Sequence, residues 1–265
     1  MRHSETTTRE DLPRQDVPHI AAALLDRLRA RSPRVHCITN AVAQNFTANV
    51  LLAAGAVPSM TLSKDEIGQF VAGANALLVN LGTFDRERRE ATEIAVKTAA
   101  RESVPWVLDP VFIDRTPPRA AFAHALIARA PKALRLNAAE FFALSGREPT
   151  RGARAAYARD TKTAVGLSGA TDWVSDGERF AAIANGHALM AKVTAMGCAA
   201  SALVAACLGV EEDAWQATAA GLTIIGVAGE LAALKAEGPG SFAVALVDTL
   251  YHLDGPTLIA RAKVN

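Results

Sequence analysis

Apolar and polar residues alternate along this chain in two patterns that predict two kinds of element. Short, nearly unbroken apolar runs at residues 76–81 and 105–110 are typical of strands covered on both faces of a sheet. Segments with apolar residues three and four positions apart, at residues 19–30, 42–54 and 85–102, predict amphipathic helices between such strands. This succession of buried strand and helix favours an α/β fold, with a mostly parallel sheet covered by helices on both faces.

The second half of the chain adds an edge element and long helices. Residues 172–184 contain two β-prone segments around an Asp-Gly dipeptide, which predicts a β-hairpin at one edge of the sheet. An Ala- and Gly-rich helix is predicted from residue 215 to about residue 236, where small residues permit close packing. A Gly-Pro-Gly sequence at residues 238–240 then predicts a sharp turn before the last helix, which ends near His252.

Three further segments have simpler interpretations. Residues 57–62 predict a short strand, and residues 63–66 predict a capping box that begins the next helix. Residues 147–162 carry five Arg or Lys side chains, which indicates a helix on the solvated surface. Residues 35–39 predict a strand near the start of the chain.

One uncharged run stands out at residues 199–210, because its residues are nearly all small and apolar. It predicts a helix that is buried on almost all sides and is too short to cross a bilayer. Ala195 and Gly197 lie just before this run, so the backbone there can approach a ligand. The first turn of a helix has unpaired N–H groups and favours negative charge. Residues 195–198 therefore predict an anion site, although an ordinary strand-to-helix turn has the same pattern.

Composition narrows the function classes. The 265 residues suffice for one large α/β domain or two small ones, and half of them are hydrophobic. The 28 basic and 27 acidic residues nearly cancel, which gives no support for a nucleic-acid or membrane partner. The three cysteines lack metal-ligand spacing and suggest a reducing, cytoplasmic setting. Residues 1–18 are polar and predict a disordered leader before a single domain at residues 19–265.

Polar residues follow several predicted strands, where open α/β sheets bind ligands. Asn40 either faces a ligand or caps the following helix, and Asp109 before Pro110 either serves a site or closes a turn. Asn137 and Glu140 have the spacing of a capping box, which needs no further function. No Walker loop is present, so any phosphate must be held in another way.

Several ordered motifs resemble those of the hydroxyethylthiazole kinases, thiamine-salvage enzymes with the ribokinase-like fold. The segment at residues 189–202 resembles their anion-hole motif, in which most of the superfamily has an aspartate base where Cys198 stands here. Further similar phrases occur, and the resemblance covers roughly residues 20–255. These phrases are HCITNAVAQN at residues 36–45, Asp-Pro-Val at 109–111, Arg-x-Asn-x-x-Glu at 135–140 and Gly-Pro-Gly-Ser-Phe at 238–242.

The resemblance implies a specific reaction and a set of site residues. The reaction is ATP- and Mg²⁺-dependent phosphorylation of the hydroxyethyl group of 4-methyl-5-(2-hydroxyethyl)thiazole, by a homotrimer with substrate sites at subunit interfaces. The implied residues are Cys198 as catalytic base; Asn40, Met60 and Ala195 for the substrate; Arg135, Asn137, Ser168 and Gly197 for ATP; and Asp109 and Glu140 for the metal. Arg suits phosphate because its planar fork pairs with two oxygens.

Two departures from the family pattern keep other functions open. Relatives have a glycine-rich turn where this chain has residues 112–116, and a glycine where it has Ala195. The rivals are another ribokinase-like kinase of small alcohols, an ATP-dependent dehydratase, and a non-catalytic nucleotide-binding protein. If Ala195 needs a positive φ, its backbone is strained. The helix N-terminus is also expected to lower the pKa of Cys198.

Overall fold

A computed structural model describes residues 16–265, which build one eight-stranded sheet between two layers of helices. The strand order is β2-β1-β3-β4-β5-β6-β7-β8, in which the first six strands are parallel and β7 and β8 are antiparallel. This arrangement confirms the predicted parallel sheet and edge hairpin. The strands are β1 Arg34–Ile38, β2 Val57–Ser59, β3 Ala76–Asn80, β4 Trp106–Asp109, β5 Ala133–Asn137, β6 Ala164–Ser168, β7 Asp172–Ser175 and β8 Phe180–Ile183.

Each face of the sheet has its own hydrophobic core, because side chains alternate along the strands. In β3, Ala76 and Leu78 belong to one core, and Leu77 and Val79 belong to the other. The first core is covered by α1 Val17–Arg31, α2 Gln44–Ala53, α8 Met196–Leu208, α9 Ala214–Ala233, α10 Pro239–His252 and α11 Gly255–Arg261. The second is covered by α3 Ile67–Ala72, α4 Arg86–Glu102, α5 Pro117–Ile127, α6 Ala138–Ser145 and α7 Arg151–Thr161.

Helix α8 is the predicted buried helix, and it lies against β1, β3 and β4. All its residues except Gly197 are buried. Its partner α9 approaches closely, because a Cβ added to Gly221 would lie 2.9 Å from the Cα of Val204. Within residues 16–265, α9 alone is long and apolar enough to cross a membrane, and 78% of its most apolar window is buried inside the protein.

Some predicted boundaries were wrong. Strand β2 ends at Ser59 rather than at residue 62, since it pairs with β1 over only three residues at the sheet edge. The predicted capping box at residues 63–66 is absent, because the Thr61 hydroxyl donates to the Glu66 carboxylate and α3 begins only at Ile67. Helix α10 ends at His252 as predicted but is followed by α11.

The N-terminal part of α1 also refines the predicted boundary of the leader. The helix begins at Val17 and is capped by the Asp16 carboxylate, which accepts from the N–H of His19. Its first two residues therefore fall inside the segment predicted to be disordered, at residues 1–18. Residues 1–15 lie outside the described residues, and the prediction of disorder stays a prediction there.

Candidate active site

Two cavities meet where the carboxyl ends of the central strands face the N-terminus of α8. The first, of about 670 Å³, is called the hairpin-side cavity; its walls include Ser168, Asp172 and residues 185–188, on either side of the β7–β8 hairpin. The second, of about 660 Å³, is called the carboxylate cavity because Asp109 and Glu140 line it. The residues shared by both cavities are Arg135, Met190, Ala191, Met196 and Gly197.

The N-terminus of α8 forms part of the shared boundary. Ala195 precedes the helix with φ 76°, a left-handed conformation that glycine adopts readily and alanine does not. The first helical bond runs from the N–H of Ala199 to the carbonyl of Ala195. No described residue accepts a hydrogen bond from the N–H groups of Gly197 or Cys198. The helix therefore presents free donors where the sequence predicts an anion site.

Arg135 lies in β5 and reaches the same boundary. Its buried Nε has no hydrogen-bond partner among the described residues. Gly197 is what allows this approach, since a Cβ at that position would lie 2.8 Å from Nη1 of Arg135. A half-buried guanidinium without a hydrogen-bond partner among the described residues, beside free backbone N–H groups, is a binding group for an anion such as phosphate.

Asp109 ends β4 beneath α8 and is buried. Its Oδ2 accepts hydrogen bonds from Nδ2 of Asn80, at 2.8 Å, and from the hydroxyl of Ser201, at 2.7 Å. Burial raises the pKa of Asp109 to about 6, against the opposing effect of the Arg135 charge. Sequence reasoning missed Asn80 and Ser201. The available signal was that each interrupts an apolar run, but Asp109 lies 29 residues from Asn80 and 92 residues from Ser201 in the chain.

Cys198 lies close to this network, and the prediction of a lowered pKa was wrong. Its sulfur accepts a hydrogen bond from Nδ2 of Asn80 at 3.4 Å, and the residue is only 8% exposed. Burial, together with the charge of Asp109, raises the pKa of the Cys198 thiol to about 11. The helix terminus and the nearby Arg135 do not offset this, so the thiol is protonated near neutral pH.

Glu140 ties two parts of the carboxylate cavity together. Its Oε2 accepts from the N–H of Asn137 at 2.9 Å, and the Asn137 side chain accepts from the N–H of Glu140, which confirms the predicted capping box. Its Oε1 accepts from the N–H of Phe112 at 3.1 Å, so the carboxylate also holds the turn after β4. Asn137 lines the carboxylate cavity and not the hairpin-side cavity.

The carboxylates of Asp109 and Glu140 are the donors available to a divalent cation. Within residues 16–265 there is no group of three or more His, Cys, Asp or Glu side chains that could hold a metal. Oδ1 of Asp109 has no hydrogen-bond partner among those residues. Mg²⁺ typically uses one or two carboxylates and completes its shell with water and substrate phosphates. The donor set therefore fits Mg²⁺ bound together with a nucleotide.

The remaining predicted residues divide into three cases. Asn40 both lines the carboxylate cavity and caps a 3₁₀ turn, because its Oδ1 accepts from the N–H of Val42 at 3.2 Å. Ser168 ends β6 in the hairpin-side cavity, with a buried hydroxyl that has no described partner. Met60 lines neither cavity and packs, half-buried, against the first core, so one chain does not bring it together with the other site residues.

Comparison with known proteins identifies the chain. Residues 25–255 match the hydroxyethylthiazole kinase family. The hydroxyethylthiazole kinase of Klebsiella pneumoniae (strain 342) is 44% identical over 248 residues, covering 89% of this chain and 96% of that protein. The chain belongs to the hydroxyethylthiazole kinase family. The structure of the hydroxyethylthiazole kinase protein from Pyrococcus horikoshii OT3 superposes with a TM-score of 0.89 at 37% identity, over 92% of this chain and 98% of that one.

Membership of the hydroxyethylthiazole kinase family makes the protein an enzyme, a kinase. A ribokinase-like superfamily protein from Enterococcus faecalis V583 has a TM-score of 0.68 at 11% identity, covering 89% of this chain and 95% of that one. That likeness concerns the fold alone and agrees with the predicted ribokinase-like architecture. Two adjoining cavities are what such a kinase requires, since a phosphoryl donor and an acceptor must meet in line.

Proposed function

We propose that this protein transfers the γ-phosphoryl group of ATP to the hydroxyethyl group of 4-methyl-5-(2-hydroxyethyl)thiazole, in thiamine biosynthesis or salvage. The observation that carries the proposal is the meeting of two cavities at the unpaired Arg135 guanidinium and the free N–H groups of α8. Both cavities have the volume usual for small-molecule sites. The names of the family and of the relatives supply the substrate.

ATP is assigned to the hairpin-side cavity. The buried Ser168 hydroxyl and the backbone of Gly197 would contact the nucleotide, and Arg135 would pair with its phosphate oxygens. Asn137 stands on the other side of Arg135, at the carboxylate end, so its contact would be with the transferring end of ATP.

The thiazole alcohol is assigned to the carboxylate cavity, where Asn40 and Ala195 form part of the wall. Met60 would contribute from a neighbouring subunit of a homotrimer, because it lies outside the cavity of its own chain. Exposed apolar side chains near the β2 edge support such an assembly: Val42 is 69% exposed, Leu52 56% and Val57 46%. A cytoplasmic location is proposed with it, since all three thiols are free.

Catalysis in this arrangement rests on positioning and charge. Asp109 and Glu140 would hold Mg²⁺, which would neutralise charge on the phosphate oxygens. Arg135 and the N–H groups of Gly197 and Cys198 would bind the transferring phosphoryl group. Asn80 and Ser201 fix the Asp109 carboxylate. Cys198 is assigned the smallest contribution, because a thiol with a pKa of about 11 is a weak source of thiolate at neutral pH.

The deciding experiment measures ATP consumption by the purified protein with a panel of small alcohols, with and without Mg²⁺. We expect phosphorylation of the thiazole alcohol that requires Mg²⁺. Turnover of a different alcohol would favour another ribokinase-like kinase, and dehydration coupled to ATP would favour the dehydratase. Binding of ATP without turnover of any alcohol would favour the non-catalytic protein.

Arg135→Lys provides the matching test of the site. Lysine keeps the charge but loses the planar fork, so turnover should fall on the order of 10²-fold while the fold survives. Arg86→Lys is the control, since Arg86 is exposed and, among the described residues, forms an ion pair only with Glu90. Equal kinetics in the two variants would show that Arg135 does not bind the phosphates.

A further inference from the structure

Backbone strain in this protein is concentrated at one cavity. Six non-glycine residues have a positive φ among residues 16–265. Ser32, Ser103 and Lys162 are helix C-caps, where a left-handed residue is common, and Ala130 lies in the turn shortly after α5. The other two are Phe112, with φ 61°, and Ala195, with φ 76°, and both line the carboxylate cavity. Such outliers cluster at functional sites, where the surrounding structure holds them.

Phe112 is the more unusual of the two. A bulky residue in the left-handed region is a genuine outlier, and a large side chain tolerates it only with support from its surroundings. The support comes through the backbone, since Oε1 of Glu140 accepts from the N–H of Phe112 at 3.1 Å. The ring itself is 50% exposed and belongs to neither hydrophobic core. Core packing therefore does not account for an aromatic side chain at this position.

The surroundings of the ring indicate what it does. Among the described residues that line the carboxylate cavity, Phe112 is the one aromatic residue. Val42, which is 69% exposed, is a second apolar wall of the same cavity. The charged groups Asp109, Glu140 and Arg135 belong to this cavity too. A cavity with an exposed aromatic ring, an apolar wall and a charged end suits a flat ring that bears a hydroxylated arm.

We propose that Phe112 is a substrate-contacting specificity residue whose ring stacks on the heterocycle of the acceptor alcohol. The proposal rests on the proposed function, and it assigns to this chain a contact that a glycine-rich turn at residues 112–116 cannot make. Phe112, with its left-handed backbone held by Glu140, lines the cavity and lies outside both cores. The contact would favour binding of planar aromatic alcohols over flexible acyclic ones, because offset stacking stabilises a flat aromatic partner.

The test compares Phe112→Leu and Phe112→Gly with the wild-type enzyme. Leucine keeps the apolar bulk and loses the π-face, so KM for the thiazole alcohol should rise about three- to tenfold, with a smaller change in kcat. Phe112→Gly removes the ring and relieves the backbone, so KM should rise at least as much while the melting temperature holds or rises. Calorimetric Kd values for the thiazole alcohol should weaken in proportion, and KM for ATP should not change.

Phe142→Leu is the matched control. Phe142 lies on α6, is also 50% exposed and lines neither cavity, so its variant should keep the wild-type KM. Unchanged KM and Kd in both Phe112 variants of an active enzyme would overturn this assignment and leave the proposed function standing. A change in oligomeric mass with no change in KM would overturn it too, since the ring would then face another subunit. No turnover of the thiazole alcohol by wild type would overturn both proposals.

Discussion

The hairpin-side cavity and the carboxylate cavity have nearly equal volumes but are built by opposite means. In the hairpin-side cavity, glycine occupies the places that a side chain cannot: Gly186 has φ 144°, and a Cβ on Gly226 would lie 2.9 Å from the Cβ of Asn185. In the carboxylate cavity, Phe112 and Ala195 hold left-handed conformations that glycine would adopt more readily.

The two walls are also braced differently. Asn185 of the hairpin-side cavity is held by the C-terminal segment, since it accepts from the N–H of Lys263 at 2.6 Å and donates to the carbonyl of Arg261 at 2.9 Å. The turn at residues 112–116 is held by the charged side chain of Glu140, and Arg119 donates to the carbonyl of Val111 at 3.2 Å. The amide side chain of Asn185 thus ties one cavity to the C-terminal segment, whereas an acidic and a basic side chain hold the turn at the other. We therefore expect that a larger side chain at the boundary between the two cavities lowers activity. A smaller side chain at a left-handed residue of the carboxylate cavity should raise the free energy of unfolding.

The largest effect is expected at the boundary itself. Gly197→Ala would place a Cβ 2.8 Å from Nη1 of Arg135 and displace the guanidinium. A shift of this size at a catalytic group should lower kcat/KM on the order of 10²-fold. Gly152→Ala is the control, because Gly152 also occupies the second position of a helix but has no atom within 4 Å of the added Cβ. Similar kinetics in the two variants would remove Gly197 from the boundary.

The pH dependence of unfolding tests a residue of the sheet, His36, that lines neither cavity. His36 is buried in β1, and burial lowers its pKa from 6.5 to about 4. The unfolded chain therefore takes up a proton that the folded chain resists between these values, so stability is lost as pH falls below 6.5. We expect the free energy of unfolding to fall by about 2 kcal/mol more in wild type than in His36→Leu between pH 7 and pH 4.5. If the free energy of unfolding falls equally in both proteins over this pH range, His36 is not the cause of the loss.

The next effect tests the chemical role of the thiol. Since the pKa of Cys198 is raised to about 11, Cys198→Ala should fold normally, bind ATP normally and lose about tenfold in turnover. Cys198→Asp should retain activity. Cys207→Ala is the control in the same helix, because Cys207 is buried and lines neither cavity. Full activity in Cys198→Ala would reduce Cys198 to a packing residue.

The smallest effect concerns the strain on the carboxylate side. Ala195→Gly should raise the free energy of unfolding by about 1 kcal/mol, because glycine adopts the left-handed backbone without the Cβ clash. Ser103→Gly relieves the same conformation at the C-terminus of α4 and should stabilise similarly without touching the kinetics. Substrate affinity should improve only in Ala195→Gly. If neither stability nor affinity changes there, alanine is accommodated and the departure from glycine has no consequence.

Local sequence patterns were sufficient to predict most of the fold and part of the candidate site. The capping box of Asn137 and Glu140 could be predicted because both partners lie within four residues. The strand ends could be predicted because polar residues follow apolar runs. The support of Asp109 by Asn80 and Ser201 could not, because it depends on which strand neighbours which and on where α8 settles.

The direction of the pKa shift of Cys198 also could not be predicted from local sequence. A helix N-terminus is visible in sequence, and its effect on a thiol is to lower the pKa. The burial that overrides it comes from the packing of α8 on the sheet, which no local pattern reveals. The substrate-binding role of Met60 rests on the family resemblance alone. Because Met60 lines neither cavity of its own chain, that role stays a prediction that depends on a neighbouring subunit.

The hydrogen bonds around Asp109 join parts of the chain that are far apart: Asn80 and Cys198 are separated by 118 residues, and Asp109 and Ser201 by 92. Contacts of this range form only after long loops close, and proteins rich in them fold slowly. The carboxylate cavity is therefore completed when α8 settles on β1, β3 and β4. Before that step a refolding chain can contain much of its helix and still have no phosphate site. Recovered turnover, rather than recovered circular dichroism, is the measure of correct refolding for this enzyme.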